Sequence, residues 1–338
     1  MLKGGFQDGV VCAVVYGRAF QRAAITTASI IFVAGFVTGA MKLSGGAPPA
    51  PVKSTAVPTR HDSSTIYVVT NDRPAIVPVR CTVPCMHSNR RAYEVVRRVR
   101  IEGLPFVFVQ SMEGPAYYPQ LRIDARHANQ LWSTTSFRST IPLPYFSWAE
   151  YQIQSPAIDY SLARKSASFI AKNCRSKNDR ESLVQKLMQL TSVESLSKCL
   201  HNAASPVGNS NKQRMMQQYL FTLAFENQCE EDYITEKLWG SLEAGTLPIY
   251  YGAPNIHDHV PEKSILSVGD YPSIEALAAH VNYLASNQSA YEEYHAWRKK
   301  PLPLWFVRKY NFTHTHSDCR LCQWAQAELS RRSAKKPP

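Results

Sequence analysis

Two doubly wound (Rossmann-like) α/β domains facing a cleft are the fold class this chain predicts, preceded by one transmembrane helix and a stem. Three observations carry that expectation. Apolar runs such as Leu220 to Phe225 and Leu247 to Tyr251 are too continuous for a sheet with one wet face, and belong in buried parallel sheets. Strand and helix patterns alternate on both sides of a junction near residue 160. Polar residues gather just past the ends of the apolar runs, where an open parallel sheet places its ligand crevice.

Residues 1–22 form a short tail. Residues 23–41 are an uncharged, mostly apolar run between Arg22 and Lys42, near the minimum of roughly 17 residues needed to cross a bilayer. An uncleaved anchor is favoured over a cleaved signal peptide, whose apolar core is usually about 7 to 15 residues long. Residues 42–64 are rich in Pro, Gly, Ser and Thr and form an extended stem. The remaining chain has room for two modest domains, and 44% apolar residues is ordinary for a globular protein. A net charge of +12 raises the question of nucleic acid, with Arg90, Arg91, Arg97, Arg98 and Arg100 as the densest cluster. Tyr93, Val96 and Val99 predict a helix there, with the arginines on its solvated face, and no nucleic-acid module is recognisable.

The first domain, residues 65–160, opens with a strand at Ile66 to Thr70. A second strand, Phe106 to Gln110, runs into Ser111-Met112-Glu113-Gly114, so Glu113 lies just past a strand end. The second domain, residues 161–300, has a strand at Ser168 to Ala171 and a helix opening at Asn178, with Glu181 as a capping-box partner and Arg180 in the first turn. Its centre is residues 219–254, a strand, helix, strand unit. The helix spans Thr235 to Ala244, and Gly245 ends it as a left-handed cap. Glu226, Asn227, Tyr233, Glu236 and Lys237 fall at the crevice end. A cation in a helix's first turn opposes the dipole and calls for an anion, and the free amides there suit a diphosphate. Arg180 repeats the arrangement. Residues 301–338 form a C-terminal extension containing a C-x-x-C pair.

The segment FENQCEEDYITEKLWGSLEAGTLPIYYGAPN resembles the donor-binding signature of the α1,3-fucosyltransferase family. The likeness continues through SASFIAKNCRSKNDRESLV, SLSKCLHN and STTSFRSTIPLPYFSWAEY, and covers most of residues 105–325. MEGPAYYP, PYFSWAEY, YGAPNI and the terminal SDCRLC look most like the plant-type core α1,3-fucosyltransferases, although Thr140 stands where those usually carry Asp. The resemblance implies the GT-B arrangement of two facing domains. It also implies transfer of L-fucose from GDP-β-L-fucose, with inversion, in α1,3 linkage to the core GlcNAc of N-glycans. A Lewis-type enzyme acting on outer-branch GlcNAc, or a silent glycan-binding protein, are the alternatives. By position, Glu113 resembles the family's general base. Arg180 and Lys237 match its pyrophosphate-binding residues, and Asn173, Asn227, Tyr233 and Glu236 its donor contacts. The family places such a chain in the Golgi membrane as a single-pass type II protein, with the catalytic region lumenal and a glycoprotein N-glycan as acceptor partner.

No cofactor is required by this chemistry, since helix dipoles and cations can stabilise the leaving group, although a divalent ion could stimulate it. Glu230-Glu231-Asp232 is only a loose version of an Asp-x-Asp clamp and is better taken as a polar loop before a helix. His257-Asp258-His259 is likewise a polar loop. Seven lumenal cysteines are expected to form disulfides, and the odd count predicts that one stays free or pairs between chains. Cys319 and Cys322 are assigned to disulfide rather than zinc, for which His314, His316 and Asp318 would be the neighbours. Asn287 and Asn311 fit the glycosylation acceptor pattern.

Overall fold

The computed structural model describes residues 65–70, 76–88, 95–123, 129–208 and 211–334. The expected tail, span and stem of residues 1–64 lie outside these. Among the described residues no helix is long and apolar enough to cross a membrane.

The first sheet contains β1 (Ile66–Thr70), β2 (Ile76–Pro78), β3 (Cys85–Ser88), β4 (Arg97–Ile101), β5 (Val107–Gln110) and β6 (Gln130–Ser133), in the order β2-β3-β1-β4-β5-β6. It is mixed rather than doubly wound: β1/β3 and β5/β6 are parallel, whereas β2/β3, β1/β4 and β4/β5 are antiparallel. Antiparallel neighbours need only short connections, and the five residues between β4 and β5 turn through Gly103 at φ +80°. Over the described part of the arginine cluster the expected helix is replaced by β4. Val99 and Ile101 are buried while Arg98 and Arg100 are exposed, so the working period is two.

The second sheet contains β7 (Arg164–Phe169), β8 (Val193–Ser195), β9 (Tyr219–Phe225), β10 (Leu247–Tyr251) and β11 (Leu266–Ser267). All pairs are parallel, in the order β11-β10-β9-β7-β8. Every residue of β9 and β10 is buried, as a centre strand covered on both faces requires. Helices α1 (Arg180–Leu190), α2 (Lys212–Met216), α3 (Glu236–Glu243), α4 (Ile274–Ser286), α5 (Gln288–Glu293), α6 (Leu304–Tyr310) and α7 (Ser317–Ser333) complete the chain. Val184 and Leu187 of α1 and Leu277, Val281 and Leu284 of α4 pack on one face of this sheet. Leu238, Trp239 and Leu242 of α3 and Phe306 and Tyr310 of α6 pack on the other, each such burial contributing about 1.5–3 kcal/mol. The left-handed cap at Gly245 is present, with φ +81°, and a Cβ there would come 2.3 Å from the Pro156 carbonyl.

The C-terminal extension returns to the first sheet. Leu321, Cys322 and Ala325 of α7 join its core with Val68, Val99 and Phe108, and Trp324 stands edge-on to Phe108 at 5.0 Å. Disulfides Cys81–Cys319 and Cys85–Cys322 pin the helix there, and Cys174–Cys199 ties the loop after β7 to the loop after β8. These bonds pair six of the seven expected lumenal cysteines; the seventh, Cys229, is also disulfide-bonded, and among the described residues no cysteine is free. The sulfurs of Cys319 and Cys322 are committed and offer zinc no thiolate. At the junction between the halves, buried Arg298 donates to the carbonyls of Ile153 (2.7 Å), Ser155 (2.8 Å) and Leu242 (2.9 Å), and burial pushes its pKa down to about 10.

Candidate functional site

Strand order in the second sheet reverses between β7 and β9, and the helices that follow them leave to opposite faces, opening a crevice beyond their carboxyl ends. Residues 226–237 line its β9 side. Glu226 is fully buried and accepts from the Thr235 backbone N–H at 2.7 Å and the Thr235 hydroxyl at 2.8 Å. Thr235 is itself the N-cap of α3, its Oγ1 accepting from the Lys237 backbone amide. The Lys237 Nζ lies 3.1 Å from Glu226, 2.7 Å from Thr235 Oγ1 and 3.5 Å from Glu236. Burial works against its charge, yet Glu226 and Glu236 outweigh that and hold its pKa above the usual lysine value. For Glu236, burial pushes upward but Lys237 and Lys212 pull further down, leaving a half-exposed ionised carboxylate.

On the β7 side the expected residues separate into two layers. Asn173 is exposed and donates to the Tyr117 hydroxyl at 3.2 Å. Arg180, expected at the crevice surface, is 2% exposed: it donates to the Phe225 carbonyl at 2.7 Å and the Asn173 carbonyl at 2.9 Å. The guanidinium therefore bolts the ends of β7 and β9 together beneath the crevice, while its charge is close enough to disfavour protonation of Lys237. Nor is Asn178 the helix cap. Asp179 takes that position in a left-handed conformation (φ 52°), and Ser176 Oγ accepts the Arg180 amide instead, with Glu181 accepting from Ser176. Asn178 turns inward to donate to the Glu226 carbonyl at 3.1 Å. Buried Oδ1 atoms of Asn178 and Asn227 have no hydrogen-bond partner. Each such acceptor left dry costs about 1–3 kcal/mol, so donors from a bound molecule are favoured there.

Glu113 approaches from the first sheet. Its backbone N–H donates to Ser111 Oγ at 3.0 Å, and its carboxylate accepts from the Tyr233 hydroxyl at 3.3 Å. Burial, then Tyr145, Glu226 and Glu113, push the Tyr233 pKa far above its usual value, so the phenol stays a donor. Gln228, absent from the sequence expectations, fastens this loop: it is fully buried and accepts from the Ala116 amide at 3.2 Å. A Cβ at Gly114 would come within 2.4 Å of it. The glycine after Glu113 was the available signal. On the far side of Glu113 lies a cavity of about 410 Å³, lined also by Arg97, Gln110, Leu143, Tyr145 and Arg320.

Asp232 is a further residue that sequence reading undervalued. Its carboxylate accepts from the Phe137 amide at 2.8 Å and from Asn255 at 2.9 Å, and pairs with buried His259 at 3.1 Å. Burial opposes its charge, but these partners outweigh burial and bring its pKa down to about 2. Both polar loops are thus used internally, and Asp232 holds the turn that presents Tyr233. Among the described residues no cluster of metal-ligating side chains is present.

Residues 161–336 match the family model described as glycosyltransferase family 10 (fucosyltransferase) C-term. A putative fucosyltransferase-like protein of Arabidopsis thaliana is 34% identical over 68% of this chain and 45% of its own length. GDP-fucose protein O-fucosyltransferase 3 of Xenopus tropicalis is 38% identical over 39% of this chain and 30% of its own. The chain thus spans less than half the length of these curated relatives. A crystal structure of an α1,3-fucosyltransferase with GDP superposes with a TM-score of 0.37 at 24% identity, covering 46% of this chain and 42% of the other.

Proposed function

The chain belongs to glycosyltransferase family 10, the fucosyltransferases, and from that premise we propose that it moves L-fucose from GDP-β-L-fucose to O3 of a GlcNAc residue with inversion. The observation that supports this best is the meeting of Glu113 with Tyr233 at 3.3 Å, which brings a carboxylate of the first sheet to the donor-side crevice of the second. Glu113 takes the proton of the acceptor hydroxyl as that oxygen bonds to fucose C1, while the bond from C1 to the β-phosphate oxygen breaks and GDP leaves with the electron pair. Lys237 and the amides at the start of α3 offset the charge on the departing diphosphate. Glu236 accepts from ribose or fucose hydroxyls. Asn173 and Asn227 hold the nucleotide, and Arg180 acts from below by fixing the strand ends and adding positive charge. A divalent ion would be stimulatory rather than required.

The core GlcNAc of N-glycans is the acceptor we favour, with outer-branch GlcNAc as the alternative. The likeness to protein O-fucosyltransferase 3 favours testing a protein hydroxyl as well. The disulfides support an oxidising compartment, and with residues 23–41 as the anchor the reading is a Golgi type II protein with residues 65–160 on the acceptor side and 161–300 on the donor side. The test is to incubate the purified chain with GDP-fucose and each of three acceptors (core N-glycan, outer-branch oligosaccharide and peptide), with and without chelator, and to map the linkage. Core α1,3 product without metal is expected. Outer-branch or peptide product alone would remove the core assignment, and loss of all transfer with chelator would overturn the metal-independent route. Glycan binding without transfer would leave only the silent-protein reading.

A further inference from the structure

The cavity beside Glu113 carries a feature that proton transfer does not use. Arg97 of β4, Gln110 of β5 and Ser133 of β6 occupy one row across the first sheet, since Arg97 is in register with Gln110 and Gln110 with Ser133. Register neighbours project from the same face. Arg97 and Gln110 both line the 410 Å³ cavity. Gln110 is 5% exposed and its Nε2 has no partner, and Ser133 is fully buried with its Oγ also unpartnered. Two adjacent polar groups left dry at the end of an otherwise apolar sheet face mark a place where a polar group of a ligand completes the hydrogen bonding.

Resting on the transferase reading above, we propose that this row recognises the acetamido group of the acceptor sugar, with Gln110 as the specificity-determining residue. The chemistry is complementary. A primary amide offers one donor and one acceptor face, and an acetamido group offers the matching carbonyl and N–H. On GlcNAc the acetamido-bearing carbon adjoins the carbon that carries the attacking hydroxyl, and along the chain Gln110 is three residues before Glu113 on the wall of the same cavity. A base for one position and an amide for its neighbour would fix both the ring's identity and the hydroxyl that reacts. A plain hydroxyl at the acetamido position is too short to satisfy both faces of the glutamine, so the row discriminates between an N-acetylated ring and its hydroxyl counterpart.

The test uses two acceptors that differ only in an acetamido or a hydroxyl group at that position of the fucosylated ring. The wild-type chain is expected to favour the acetamido acceptor by at least about tenfold in kcat/KM, the size of effect a lost buried hydrogen bond produces. Gln110→Met, which keeps the length but loses both polar faces, is expected to lower kcat/KM for the acetamido acceptor by about tenfold and to leave the hydroxyl acceptor within about twofold. Donor KM should not move. Glu113→Gln, by contrast, slows both acceptors alike. An unchanged acceptor ratio in a folded Gln110→Met chain with wild-type GDP affinity, or an equal fall on both acceptors, overturns the proposal. Should that variant not fold, Gln110→Glu, which keeps the size but loses the Nε2 donor, is read by the same ratio: a fall confined to the acetamido acceptor supports the proposal, and an unchanged ratio overturns it. Wild-type transfer with no preference between the acceptors refutes the acetamido role alone, whereas no transfer to either acceptor refutes the transferase reading and this inference with it.

Discussion

The two disulfides that hold α7 are coupled, and their removal should be strongly non-additive. Cys81–Cys319 and Cys85–Cys322 span 238 and 237 residues. By the chain-entropy relation a loop of that length, closed first, constrains the unfolded chain by about 5.5 kcal/mol. Once one bond is closed, the other completes only a ring of about nine residues, worth about 2.5 kcal/mol by the same relation. Replacing either pair by serine should therefore cost about 2.5 kcal/mol, and replacing both about 8 kcal/mol. Against a total stability of about 5–15 kcal/mol, the single-pair variants fold and the four-serine variant loses α7 from the first sheet. Guanidinium unfolding of the oxidised proteins measures the costs. Because His316, Ser317 and Arg320 around the start of α7 line the cavity beside Glu113, acceptor KM should rise with loss of both bonds while GDP affinity, which the proposed function assigns to the second sheet, stays. If the two single-pair costs simply sum to that of the four-serine variant, the loop argument is wrong. If acceptor KM is unmoved when α7 is freed, the cavity is not the acceptor site.

Other expectations follow from the site. Glu113→Gln keeps an acceptor for the Tyr233 hydroxyl but removes the proposed base, so kcat should fall by about 10²- to 10⁴-fold with donor affinity unchanged, which steady-state kinetics and GDP titration check. Lys237→Met leaves the buried Glu226 carboxylate unpaired and should cost about 3–5 kcal/mol by denaturation as well as weakening GDP-fucose binding; adding Glu226→Gln should restore much of the stability and none of the donor affinity. Asp232 has its pKa depressed in the fold to about 2, so its contribution is complete above the ordinary carboxylate range and is lost as pH falls from about 4 to about 2. A loss of about 2 kcal/mol over that window should be missing from the acid-unfolding curve of Asp232→Asn. Arg180→Lys cannot bridge the carbonyls of Phe225 and Asn173 together, and should lower the melting temperature even in the absence of GDP.

Much of the crevice was legible because its signals are local. β1 and β10 have the expected bounds, α3 begins at its Thr235 cap, and Gly245 takes its left-handed turn. An apolar run, a capping hydroxyl and a glycine each act within a few residues of themselves, so Asn227, Glu236 and Lys237 could be placed at a strand end and a helix start without coordinates. The arginine-rich strand was harder. Val96, Val99 and Tyr93 satisfy a helical spacing, while Val99 and Ile101 satisfy a strand, and only pairing of β4 with β1 and β5 chooses between them.

From its sequence alone this protein reads as an α/β chain with buried parallel strands, a polar crevice at their ends and a segment that resembles the donor-binding signature of the α1,3-fucosyltransferases. Tertiary structure alone decided that Arg180 faces inward to two backbone carbonyls, that Gln228 and Asp232 fasten the loops beside Glu113 and Tyr233, and that α7 returns to the first sheet. The physical reason is distance along the chain. Local patterns report the period of an element and its ends, whereas burial of a charge or the partner of a cysteine depends on residues as much as 238 positions away, and nothing in the neighbourhood of either records that meeting.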